Sequence, residues 1–140
     1  PLSLRLGDVT LVHGSPRDPL WEYLLDGSAA ADNFPLLETL LCFIGHSHVP
    51  LALAQAEDGD PFPAYLRDGE RLQLQGSAFV NPGSVGQPRD HDPRASFAVF
   101  YPEMQVWEQV RVAYDVPEAQ RRIRAAGLPE ARTPRLAAGW

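Results

Sequence analysis

Apolar residues in this chain recur mostly at every second position, in short runs bounded by Gly, Pro, Asp and Asn, so strands dominate the expected elements. Leu2, Leu4 and Leu6 alternate with polar residues, Gly7-Asp8 offers a two-residue turn, and Val9-Thr10-Leu11-Val12 follows. That pattern predicts a β-hairpin. The continuous apolar run 40–44 predicts a buried strand, and residues 51–54 a further one beyond Pro50. A second hairpin is expected over 64–74 around Asp68-Gly69, a short strand over 79–81, and a third hairpin over 95–112 turned by Pro102-Glu103. Residues 57–61 read as an acidic loop.

Helical spacing is confined to fewer places. Asp18-Pro19 pairs a capping carboxylate with proline at the first helical position, and Leu20, Trp21, Leu24 and Leu25 form a stripe that Gly27 stops. Residues 28–40 are expected to be helical in two pieces, divided at Pro35. Asp115 and Glu118 predict a capped helix start, after which Val116, Ala119, Ile123 and Ala126 share a face and Arg121, Arg122 and Arg124 take the others. Gly127 and Pro129 end it, and the Pro-, Ala- and Arg-rich tail adds one more helical turn, so 115–140 reads as a helical tail. Hairpins interspersed with helices imply an α/β (α+β mixed) domain and not a repeating βα barrel.

Composition narrows the function classes. At 140 residues the chain is one domain or a large part of one, and its 44% apolar content is ordinary. No apolar run approaches the ~20 residues a membrane span requires, and no signal peptide opens the sequence, so no membrane partner is expected. The formal charge of −6 argues against general nucleic-acid binding. The single cysteine, Cys42, lies inside the apolar run and reads as a buried hydrophobe in a reducing, cytoplasmic protein.

Chemistry concentrates where strands end. Residues i and i+2 of an extended segment point the same way, so His46 and His48 in Gly45-His46-Ser47-His48-Val49-Pro50 can face one site. His13 follows the strand 9–12 in the same style, before Gly14-Ser15-Pro16. Imidazole is a common ligand for first-row metals, and the pair can bind one ion or one ion each of a close pair. A hydrogen-bonding loop histidine is the plainer reading of His13, and a solvated one the reading of His91. Asn81-Pro82-Gly83-Ser84 can offer backbone N–H groups to an anion or merely reverse the chain. Arg17, Arg89 and Arg94 can clamp a phosphate or pair with Asp18, Asp90 and Asp92 beside them.

Taken in order, the segments 13–19, 45–50, 81–86 and 93–97 resemble the calcineurin-like metallophosphoesterases, in particular their small bacterial phosphodiesterase branch. The resemblance runs from Val9 to about Tyr114. It implies a two-sheet β-sandwich flanked by helices, with a bimetal centre on loops at the strand ends. It further implies two divalent ions (Mn, Fe, Zn, Ni or Co), His13 and His46 binding one and His48 the other. A metal-activated water would then hydrolyse a phosphodiester or phosphomonoester, with Arg17, Asn81 and Ser84 as candidate substrate contacts.

That family's earlier motifs, an Asp-x-His, a Gly-Asp and a Gly-Asn-His, are not found. Gly7-Asp8 lies in a hairpin turn and Gly59-Asp60 in a later loop. Residues 1–140 therefore read as a partial domain, the C-terminal half, with Pro1 an internal start. Three imidazoles without carboxylates cannot offset two divalent ions, so little turnover is expected of this piece alone. Uncovered sheet faces and edges would call for the N-terminal half or a second copy. The alternative is a non-catalytic scaffold of the same fold that binds a partner. An α/β-hydrolase reading fails because no Gly-x-Ser-x-Gly elbow exists in the sequence.

Overall fold

Strands built from alternating residues have two faces to bury, and in this chain both faces of the central strands find a partner. A computed structural model describes residues 1–55, 61–129 and 133–140; the expected acidic loop falls largely outside them. β1 (Ser3–Leu6), β2 (Val9–Val12), β3 (Leu41–Phe43), β4 (Pro50–Ala54), β5 (Ala64–Tyr65) and β7 (Ala78–Pro82) form a sheet in the order β1-β2-β3-β7-β4-β5. β6 (Arg71–Gln73), β8 (Ala95–Tyr101) and β9 (Val106–Val112) form a second, antiparallel sheet in the order β6-β9-β8. Mixed α and β elements in two sheets match the expected fold class.

Period two decides the layers. Leu41, Ala78, Val80 and Ala52 turn toward Trp107, Leu72 and Phe100 of the second sheet, filling the space between the sheets. Their alternates Cys42, Phe79, Leu51 and Leu53 turn the other way, onto Leu24, Ala30 and Phe34. Ala30 belongs to α1 (Gly27–Asn33), whose cap is Asp26, accepting from the Ala29 N–H. A 3-10 turn at Phe34–Leu36 follows, so the helical segment does come in two pieces around Pro35, but residues 37–40 lead straight into β3.

Two expectations fail. No helix forms over 18–26, and Gly27, expected to stop one, opens α1 instead. Asp18 does accept from the Leu20 and Trp21 N–H groups, as a cap should. The chain is instead held in a tight loop, because Gly14 N–H donates to Pro19 O (2.8 Å) and Ser15 N–H to Asp18 O (3.0 Å). Trp21 stays 72% exposed while Leu24 is buried, so the stripe never becomes one face. The second hairpin is also absent. The reversal at Asp68-Gly69 is present, with Glu70 N–H donating to Arg67 O, yet β5 pairs with β4 and β6 with β9. The turn carries the chain from one sheet to the other.

The first hairpin pairs β1 with β2, and the last pairs β8 with β9. α2 (Val116–Ala125) starts on its Asp115 cap, with Glu118 in the first turn. Its apolar face is half-buried at Val116, Ala119 and Ile123 and open at Ala126. α3 (Thr133–Ala138) supplies the expected late helical turn. No helix among the described residues is long and apolar enough to cross a membrane.

β2, β3 and β7 are neighbours and parallel. Their C-terminal ends therefore emerge along one rim of the sheet, where open α/β sheets place their ligands. The loops leaving that rim begin with His13, Gly45-His46 and Pro82-Gly83.

Candidate metal centre

The rim loops are tied to one another before any side chain is considered. Gly45 N–H donates to His13 O at 3.0 Å, and Ile44 N–H to Val80 O at 2.9 Å. These bonds bring His13 Nε2 to 2.8 Å from His46 Nδ1, with the rings edge to face at 4.8 Å between centroids. Tyr23 lies against the other side of His46, 4.1 Å away, and Trp21 stands at 6.3 Å. His48 turns its Nδ1 to Gln87 O at 2.8 Å. A carbonyl only accepts, so Nδ1 carries the proton and Nε2 keeps its lone pair. Burial lowers the proton affinity of both His46 and His48, and Arg89 adds to it for each. For His46, the neighbouring His13 contributes as well.

The local backbone differs from the extended segment the spacing suggested. His46 and His48 both sit in the left-handed region, at φ 61°, a conformation that costs energy for non-glycine residues and needs enforcement by the surroundings. Asn81 provides it. Its side chain is fully buried, and its amide donates to Gly45 O (2.6 Å) and Ser47 Oγ (3.0 Å) while its oxygen accepts from Gly83 N–H (2.9 Å). Ser47 Oγ in turn accepts from Val49 N–H at 3.3 Å. One amide thus joins the His46–His48 loop to the Pro82-Gly83 loop.

The three candidate substrate contacts are engaged within the chain. Asn81 is spent on these loops. Arg17 pairs with Glu22 and with Asp32 (2.9 Å), not with Asp18. Ser84 Oγ accepts from the Gly86 and Gln87 N–H groups and so shapes the turn after β7. Arg94 pairs with Asp92 and Asp68, each at 2.6 Å. Asp90, expected beside Arg89, pairs with the buried Arg111 instead. His91 is exposed, as its solvated reading requires.

Several residues that hold the site gave no signal in sequence. Glu22 receives Arg17, Ser15 Oγ and Asn33 Nδ2, and the Arg17 bond, with Ser15 and Asn33, draws its carboxyl down to about 2. Ser15 and Asn33 are fully buried. Tyr23 joined the site because the 18–26 segment is a loop, which its helical spacing concealed.

Imidazole nitrogens suit a first-row divalent ion; the structure brings His13 and His46 together, while His48 is tied through Nδ1 to Gln87 O. Among the described residues no group of three or more His, Cys, Asp or Glu side chains gathers closely enough to hold a metal ion by itself.

No family model matches the chain. It is 37% identical over 133 residues to an uncharacterised protein of Methanocaldococcus jannaschii, covering 94% of this chain and 51% of that one. Among solved structures, a metallophosphoesterase from Sphaerobacter thermophilus is 49% identical at a TM-score of 0.93, covering all of this chain and 58% of that one. A hypothetical protein from Pyrococcus horikoshii shares the fold at a TM-score of 0.74 and 22% identity, with 51% of it covered. The chain thus spans little more than half the length of the relatives it matches. Superposed over its whole length at 49% identity, with the histidine-bearing loops on one rim, this chain has the fold of that metallophosphoesterase and is similar to it in sequence.

Proposed function

We propose that this chain is the histidine-bearing, C-terminal portion of a metal-dependent phosphoesterase. The observation that carries the reading is the 2.8 Å approach of His13 and His46, delivered by two parallel strand ends beside the oriented His48. In this reading His13 and His46 take one ion and His48, through Nε2, takes another. A divalent pair held here supplies Lewis-acid polarisation of the phosphoryl group and an ionised water near neutral pH. The chain's own residues prepare for it. Burial favours the neutral form of the His46 and His48 rings, and His48 keeps its Nε2 lone pair available without first losing a proton. His13 Nε2 and His46 Nδ1 share one proton across their contact, and that proton would have to leave for both nitrogens to hold an ion. Gln87 fixes the His48 tautomer, and Asn81 fixes the loop.

Carboxylates that offset the metal charge are expected from the remainder of the protein, so the chain alone should turn over little substrate. An open apolar trough of about 590 Å³ supports that division, lined by Leu2, Leu4, Leu11, Phe43, Phe100 and Trp107 among others. Its proposed cover is the N-terminal half or a second copy of the chain. A soluble cytoplasmic protein acting on a phosphoester is the setting we infer.

The test is metal content and hydrolysis of bis(p-nitrophenyl) phosphate by the whole protein, chelated and then reloaded with Mn, Fe, Zn, Ni or Co in turn. Two ions per protein and activity lost in His46→Ala and His48→Ala are expected. Stoichiometric metal without hydrolysis of any phosphoester, or hydrolysis untouched by chelation, would overturn the assignment. The second reading, a scaffold with an incomplete centre, is favoured by one observation: no described carboxylate joins the histidines. It predicts neither bound metal nor turnover.

A further inference from the structure

Arg89 stands apart from most of the chain's other arginines. Arg17, Arg71, Arg94, Arg111, Arg121 and Arg122 each pair with a carboxylate. Arg89 has no such partner among the described residues, because the adjacent Asp90 turns to Arg111, whose side chain is only 3% exposed. The backbone around Arg89 is nonetheless fixed. Pro88 before it is fully buried, Asp90 after it is held by that ion pair, and its own N–H donates to His48 O at 3.3 Å. A half-buried guanidinium is therefore carried on an anchored segment, with its natural counter-ion taken away.

A second arginine meets it. Arg89 and Arg135 line one cavity of about 420 Å³ together with Tyr23, Ser47, Val49 and Trp140. Arg135, likewise without a carboxylate among the described residues, lies over the Trp140 ring at 5.2 Å. The chain's end is fixed there, since His91 N–H donates to Gly139 O at 2.8 Å and Trp140 N–H to Arg135 O at 3.0 Å. Tyr23 and Ser47 tie the cavity to the histidine loops, as Tyr23 stacks on His46 and Ser47 separates the two histidines. In a chain of net charge −6, two unpaired cations in one concavity reverse the local sign. Guanidinium forks match phosphate oxygens, and flat aromatic walls match a flat ring.

We infer that the Arg89–Arg135–Trp140 cavity binds an aromatic organophosphate, its phosphate on the two guanidinium groups and its ring against Trp140 and Tyr23. The proposal rests on the phosphoesterase reading only for what the bound group would be, an arm of the substrate next to the metal centre. Binding itself needs no metal, which separates the two claims.

The experiment is calorimetric titration of the whole protein, as purified and after chelation, with phenylphosphonate and with inorganic phosphate. Phenylphosphonate binding that survives chelation is expected. Arg89→Ala and Arg135→Ala should each weaken it about tenfold or more. Arg89→Lys, which keeps the charge but loses the fork, should fall between and guards against a misfolded alanine variant. Trp140→Ala should weaken phenylphosphonate while leaving inorganic phosphate within about twofold. Binding lost on chelation and unchanged in all four variants would overturn the cavity's role while leaving the phosphoesterase reading standing. Binding retained in a protein that neither holds metal nor hydrolyses esters would sustain the cavity and remove the enzyme.

Discussion

Asn81→Ala is the substitution that most directly tests how the rim is held. The native amide makes three hydrogen bonds, two donated to Gly45 O and Ser47 Oγ and one accepted from Gly83 N–H, in a site with no solvent access. Each bond contributes about 0.5–1.5 kcal/mol net, and buried partners left unpaired cost more, so about 2–4 kcal/mol of stability should be lost. Part of that cost is partly offset elsewhere, because Gly45 O also accepts from Ser47 N–H at 2.6 Å. The assay is urea unfolding of the whole protein, wild type against Asn81→Ala. Asn81→Asp sharpens the test. It keeps the acceptor for Gly83 N–H but sets a carboxylate oxygen against Gly45 O, so it should destabilise at least as much as alanine. The variants should also lose metal affinity, since the Asn81 amide bonds both Gly45 and Ser47, the residues flanking His46. A loss below about 0.5 kcal/mol, the level of an ordinary surface change, would refute the reasoning.

Three further outcomes are expected. In Gly14→Ala the new Cβ would stand 2.5 Å from Asp18 O, so unfolding should show a loss of about 1–3 kcal/mol; an unchanged midpoint would mean the 14–19 loop is not as tight as described. Glu22, with its carboxyl drawn down to about 2 chiefly by Arg17, contributes stability that is fully present above the usual carboxylate range and lost as pH falls through about 2. After discounting for screening at the half-exposed Arg17, Glu22→Gln should cost about 1–2 kcal/mol at pH 7, shrinking between about pH 5 and 2; a pH-independent difference would contradict it. Cys42, fully buried and pushed up to about 12 by burial, should react with a thiol reagent only at the rate of unfolding, and rapid labelling of the native protein would count against its placement.

What could be read from sequence was set by local physics, and what could not depended on distant partners. The continuous apolar run 40–44 holds a buried strand at Leu41–Phe43, and the alternating residues of 95–112 form the expected hairpin. Asp68-Gly69 likewise signals a reversal, and a reversal occurs, but turn chemistry says nothing about which strand each arm will pair with. The stripe Leu20, Trp21, Leu24 and Leu25 has helical spacing, yet Ser15 and Asn33 draw Glu22 into a buried polar cluster that a helix would break. The histidine loop was legible in composition and not in conformation: spacing of two suggested an extended strand, whereas both residues are left-handed. Asn81 looked like a group for an anion because its other partners, Gly45 and Ser47, lie 36 and 34 positions away.

The buried Asn81 amide, with the bonds joining His48 to Gln87 and Arg89, makes the two rim loops one mechanical part. Neither can be transplanted to another scaffold, shortened or randomised in a library without carrying the other along. Natural or laboratory variation at this rim should accordingly arrive in paired changes on both sides of residue 81.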